Sequence, residues 1–411
     1  MLNTSMVYAM DEVKTERSNL FVLALMYIGF WTNVIETPLI TPSILPLFQA
    51  LTLLVGFAYF SFLMIRKWDL NHLEIHFDMP ANRLGLITLI LWFVLGLSII
   101  LSEIVRGTSP HVGVMYFLYV PIFFFYIIPS SLKTPIYTVC RAVLISGVIV
   151  ILLSLVTEFP TIGVRYEGIT NNPNSLGMVA NQTVLAAASL FYMEFQKRKF
   201  KKRKLTLYSL AIVMGLLPLM VSESRTSFLV VAVGIFVIFV HAVLTKRLKL
   251  KHLVVLLMLF LVVYNAFLAD FFQAGIAARI SSYAGSDRVL AGRTDIWRNI
   301  IQNASIFGYG FDYFSQYIQI QAHNDVLQFI GMYGIPSGII LGVFYVLVSV
   351  LGLEFSINKM KKEYAIIPLV FIIGYIALGS AESVIGFNAK TPVMVFFNFV
   401  GILLLENNDR K

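Results

Sequence analysis

Cysteine is nearly absent from this chain: Cys140 stands alone among 411 residues. An intrachain disulfide and a cysteine-held metal cluster are therefore excluded. Charge is scarce as well, at 13% of residues, where soluble domains carry roughly 25%. What fills the space is hydrocarbon, with 58% hydrophobic residues and a mean hydropathy of +0.81. The uncharged runs 84–102, 205–222, 226–245 and 335–353 each approach the roughly 20 apolar residues that cross a bilayer. The first 19 residues are mixed in charge and lack a small-residue cleavage site, so no removed signal peptide is expected. Also missing are an internal repeat and a pair of matching broken helices, which argues against a transporter or flippase.

What is present reads as an all-α polytopic membrane protein, a single integral membrane domain over residues 1–411 with a large outer loop at 270–323. Twelve spans are expected, at about 20–35, 44–65, 84–103, 112–128, 136–157, 174–195, 205–221, 226–245, 253–269, 324–353, 364–381 and 391–405. Their connections are sharply unequal in charge. One set of alternate loops holds 23 of the 31 basic residues and the other holds 8. The positive-inside rule then puts both termini in the cytoplasm. The net charge of +9 is a topology signal on this reading, and no nucleic-acid partner is implied. The run Lys197–Lys204 reads as an anchor on the lipid surface.

The eight outer cations are Arg106, Arg165, Arg225, Arg279, Arg288, Arg293, Arg298 and Lys390. Seven are arginines, whose planar fork suits bidentate phosphate recognition, whereas lysine is a point charge. Arg106 and Arg279 fit headgroup snorkelling equally well. Arg165 precedes Asn171-Asn172-Pro173-Asn174, where Asn172 is placed to cap a helix opening on Pro173. A helix N-terminus beside an arginine is a ready anion site. Arg225 lies in Ser222–Ser227, the whole outer connection between two long spans. Ionisable groups near membrane depth default to function with a named partner, and Glu223 could equally supply a structural ion pair. In the long loop, Ile296, Trp297, Ile300, Ile301 and Ala304 share one helical face, and Phe311, Phe314, Tyr317, Ile318 and Gln321 predict a second amphipathic helix. Both are expected to lie at the interface and roof a cavity. His323 falls where the chain re-enters the bilayer, flanked by Asn324 and Asp325, and reads as a working side chain.

Taken in order, Arg165-x-x-Gly168, Asn172-Pro173-Asn174-x-Leu176, Ser224-Arg225-Thr226, Gly292-Arg293-x-x-x-Trp297, Gly308-Tyr309-Gly310, Ala322-His323-Asn324-x-x-Leu327 and Gly334-Ile335 resemble the bacterial O-antigen ligase/polymerase family. The resemblance covers roughly residues 160–340, and the amino-terminal third carries no such motif. It implies a GT-C-like glycosyltransferase of the cytoplasmic membrane with an extracytoplasmic site. The implied donor is an undecaprenyl-diphosphate-linked glycan, the other partners being a glycan acceptor, membrane lipids and other polysaccharide-assembly proteins. The family's essential arginines match Arg225 and Arg293, its histidine matches His323, and Arg165 matches the arginine ahead of the Asn-Pro element.

Residue chemistry agrees with that implication. A departing diphosphate needs guanidinium groups as it gains charge, and an acceptor hydroxyl needs a base near neutrality, for which histidine is suited. Arg225 and Arg293, with Arg165 and Arg288, are expected to hold the diphosphate, and His323 to take the proton. Asn172, Asn174 and Asn324 complete the expected substrate-binding set. Direct displacement would invert the anomeric centre. No cofactor is expected, nor a metal, since the outer segments show no His/Asp/Glu cluster with ligand spacing. Polymerisation of repeat units is favoured narrowly over ligation of the finished glycan to a lipid or wall acceptor, and a non-catalytic scaffold is the remaining reading.

Overall fold

The computed structural model describes residues 4–36, 44–67, 80, 82–157, 159–160, 164–245, 293–385 and 390–405. In chain order the helices are α1 (Thr4–Trp31), α2 (Ile44–Lys67), α3 (Arg83–Val105), α4 (His111–Ser131), α5 (Pro135–Thr157), α6 (Pro173–Phe195), α7 (Lys202–Val221), α8 (Arg225–Leu244), α9 (Arg293–Gln302), α10 (Asp325–Tyr333), α11 (Ile335–Asn358), α12 (Ile367–Gly379) and α13 (Thr391–Leu405). Among the described residues there is no sheet, only an isolated bridge between Ile35 and Thr170. Eight helices, α2 to α8 and α11, are long and apolar enough to cross a membrane, and α12 and α13 are shorter apolar helices. The chain is a multi-pass membrane protein. The span expected at 253–269 lies outside the described residues, as do Arg279 and Arg288.

The centre of the bundle is α6, whose apolar window is 89% buried, against 56% or less in the other seven. Its Asn181, Gln182, Thr183 and Ser189 are all buried. Lipid cannot satisfy such groups, so a helix this polar must be ringed by others. A second packing centre is Trp92 of α3, whose ring lies 4.8–5.7 Å from those of Tyr116, Phe125, Phe344 and Phe397. Within α4, residues 115–127 are wound in the wider π form around Pro121. In that winding the Tyr116 carbonyl would face the missing N–H of Pro121. Trp92 fills the gap, its Nε1 donating to Tyr116 O at 2.7 Å. The early and late helices are tied as well: Thr391 Oγ1 donates to Tyr27 O and Asn398 Nδ2 to Tyr27 Oη, each at 2.9 Å.

The expected span 324–353 is in fact two helices, α10 and α11, broken at Gly334. Gly334 has φ +97°, and a Cβ there would run into the Ile306 carbonyl. The break ends α10 before its carbonyls are used up, and the Gly308-Tyr309-Gly310 turn takes them: Tyr309 N donates to Gly331 O and Gly310 N to Met332 O, both at 2.9 Å. The second amphipathic helix expected around 311–321 is a wide turn, Phe314–Ile318, ended by Gln319 in the left-handed region.

Gly107 also has a left-handed φ of +70°, yet nothing lies within 4 Å of its added Cβ. Alanine at either position incurs the backbone penalty of about 1–2 kcal/mol. Gly334→Ala adds the clash with Ile306 and is expected to lower the thermal midpoint of the detergent-purified protein clearly more than Gly107→Ala. Equal midpoints would mean that the α10–α11 break tolerates a side chain.

Candidate active site

The amino-terminal end of α6 is built by local hydrogen bonds. Asn172 Oδ1 accepts from Ser175 N at 3.0 Å, capping the helix, and Asn171 Oδ1 accepts from the Ser175 hydroxyl at 2.8 Å. The connection leading in is stapled to its neighbours, with Asn171 N on Val34 O (2.8 Å) and Tyr166 N on Val221 O (3.0 Å). Arg165 is thereby held over the cap: its Nη2 donates to Asn174 Oδ1 at 3.2 Å, and its Nε lies 4.0 Å from Glu223 Oε2. Glu223, a candidate partner for Arg225, thus also lies near Arg165. Arg225 opens α8 two residues further on, at the same end of the bundle.

The start of α10 organises the opposite wall. Asn324 caps the helix through Leu327 N (3.0 Å) and donates to Ser380 O (3.1 Å). Buried Asp325 accepts from Val384 N and Ile385 N at 2.7 and 2.9 Å, and from the Tyr345 and Tyr375 hydroxyls at 3.0 and 3.2 Å. Gln328 Oε1 accepts from Ala322 N (3.0 Å) and from the Ser383 hydroxyl (3.1 Å). Three residues of one short helix thus hold both the 322 and the 380–385 segments.

Between those segments sits Glu382. Its Oε2 is 2.9 Å from His323 Nδ1, and its Oε1 accepts from Arg293 Nη2 at 3.1 Å. Arg293 Nη1 also donates to Ala381 O at 2.5 Å. Trp297, one turn along α9, donates to Ala322 O at 2.7 Å, locking that helix to the histidine loop. His323 itself has φ +51°. Such a conformation costs a non-glycine residue of order 1–3 kcal/mol and marks sites where surrounding structure imposes it.

A cavity of about 400 Å³ opens here, lined by Arg165, Asn172, Asn174, His323, Glu382 and Lys390, with Asn171, Gln321 and Ser383 among the remaining wall residues. Of the expected site residues, Arg165, Asn172, Asn174 and His323 therefore meet in one place. Arg293 reaches the site through Glu382, and Asn324 spends its side chain on the cap and on Ser380. Sequence reasoning overlooked Glu382. The signal was there: it is the one acidic residue in the short connection Ser380–Lys390 between two apolar segments, a placement that default logic treats as functional.

Burial works to raise the Glu382 carboxyl, but the bond from His323 and the nearby Arg293 charge outweigh it and hold the group below the ordinary glutamate range. Burial pushes the Lys390 amine below the ordinary lysine range, against the pull of Glu382 and Asp325. Among the described residues no group of three or more His, Cys, Asp and Glu is gathered as metal ligands would be.

A carboxyl whose folded pKa is depressed adds stability that is complete above its unfolded value and is lost as pH falls through the folded one. Glu382→Gln is accordingly expected to lower the thermal midpoint at neutral pH. The gap from wild type should stay constant down to the ordinary glutamate value of 4.5 and close below it. Melting curves of both proteins across acidic pH check this, and a gap independent of pH would remove the ionic bridge.

No curated protein matches the chain. The matched family region takes in Arg225, Arg293 and His323 and stops before Glu382 and Lys390. Residues 210–342 match the family model for O-antigen ligase, in agreement with the motifs the chain resembles.

Proposed function

We propose that the protein is a glycosyltransferase working on the outer face of the cytoplasmic membrane, moving a glycan from undecaprenyl diphosphate to a sugar hydroxyl. Twelve spans in a GT-C-like arrangement, with both termini cytoplasmic, accompany this reading. The observation that carries it is a histidine braced by a carboxylate at the wall of a cavity that also holds two cations.

With Glu382 ionised, His323 Nδ1 carries the proton that it donates to Oε2, which leaves Nε2 free to act as a base. The acceptor hydroxyl gives its proton to Nε2 as its oxygen bonds to the anomeric carbon. The bond from that carbon to the phosphate oxygen breaks, and the diphosphate leaves with the electron pair. Glu382 then stabilises the imidazolium. Arg165 and Lys390 line the cavity where the leaving charge develops, with Arg225 at the same end, and donors fixed in advance are the strongest aid to such a step. Arg293, expected from sequence as a phosphate clamp, also holds Glu382. Displacement is direct, inverts the sugar, and uses side chains without a metal.

Polymerisation of repeat units is the favoured outcome, and the family description favours ligation as the second reading. In cells, loss of polymer length with single repeats still attached marks a polymerase. Loss of attachment with long lipid-linked polymer marks a ligase. For the chemistry itself, His323→Ala is expected to reduce transfer from a lipid-linked glycan by about a hundred- to ten-thousand-fold, the usual worth of a general base. Near-normal turnover by the folded variant would end the proposal.

A further inference from the structure

The charged cavity has a neighbour. A second chamber, of about 510 Å³, shares Asn171, Gln321, Ser383 and Lys390 with it. Beyond that common wall the chemistry changes. Arg165, His323 and Glu382 line only the first. The second adds Asn33, Gln319 and Gln328, the Ser315 hydroxyl, and the rings of Phe311 and Phe314. Among the described residues its one charged lining residue, Lys390, stands on the boundary.

Side-chain amides offer donors and acceptors together, as sugar hydroxyls do, and aromatic faces match the apolar faces of sugar rings. Among the described residues a diphosphate would find one cation here, Lys390. The volume lies within the range of small-molecule sites. Gln319 is held at φ +61°, where glycine would sit without strain. The structure instead presents a long amide to the chamber from that strained backbone, which is the mark of a working position. Gln328 has its oxygen committed to Ala322 N and Ser383, so it shapes the wall, while exposed Gln319, Gln321 and Phe311 face the space.

We infer that this second chamber is a subsite for uncharged sugar rings of the acceptor glycan, and that Gln319, Gln321 and Phe311 set which sugars it takes. The inference rests on the transferase reading above. The acceptor hydroxyl reaches His323 across the shared wall, while the diphosphate stays in the charged chamber.

The test uses the full-length protein in detergent, and Gln319→Gly, which removes the amide and relieves the backbone. Binding of short neutral oligosaccharides, and separately of inorganic diphosphate, is measured on wild type, Gln319→Gly and Phe311→Ala. Expected is oligosaccharide binding to wild type that diphosphate does not displace, weakened about tenfold in each variant, as the loss of a hydrogen-bonding or stacking group brings, with diphosphate binding unchanged. In the transfer assay both variants should raise KM for the acceptor and leave KM for the lipid-linked donor alone. No oligosaccharide binding by wild type, binding indifferent to both substitutions, or diphosphate binding that falls with them overturns the subsite. Failure of the transferase reading shows separately, as wild type without transfer or His323→Ala with full transfer.

Discussion

One carboxylate ties the candidate site together. Glu382 is shared by His323 and Arg293, three residues brought in by three separate segments of chain. Taking an ion out of water is costly unless its partner is fixed in place. The segments carrying all three are fixed by hydrogen bonds made elsewhere: Asp325 and Gln328 clasp the 380–385 strip, and Trp297 clasps the histidine loop. Glu382 couples the other two, since its removal strands both. Their effects on turnover and stability should therefore be strongly non-additive, in the manner of residues that act as a unit.

The membrane explains why so polar a cluster gathers at helix ends. Inside the bilayer, backbone groups pair within their own helix, and side-chain charge is expensive. Where helices stop, free N–H groups, caps and short connections meet at the water boundary. At this end α6, α8 and α10 begin and α7 and α12 finish. Central α6, with polar side chains buried along it and its neighbours sheathing it, delivers its capped start to the middle of that array. The π-wound stretch of α4, closed by Trp92, shows the same accounting applied in the interior: a carbonyl denied its partner by Pro121 is given another.

Much of this was legible in the sequence because it rests on local patterns. Long apolar runs mark spans, Asn-Pro marks the start of α6, and Arg293–Gln302 shows its helical period plainly. The alternation of basic loops also separates the residues that the structure gathers near the site, such as Arg106 beside Gly310 and Arg165 beside Asn174, from Glu194 and Lys197 at the other end of α6. Less legible was whatever depends on a non-local partner. Glu382 gains meaning only once His323 lies against it, 59 residues away. The contacts of Arg293 with Glu382 and Ala381 likewise join positions 88 and 89 residues apart. The break at Gly334 hid inside an apolar run because periodicity does not register a single left-handed residue, and Gln319 ended its helix for the same reason.

The tie between Tyr27 of α1 and Thr391 and Asn398 of α13 has a bearing on biogenesis. A chain threaded into the bilayer from its amino end delivers one half of that contact early and the other half late, after every other described helix is in place. Lys390, which walls both chambers, arrives with the same late helix. Both chambers thus gain this part of their wall only when the closing helix docks.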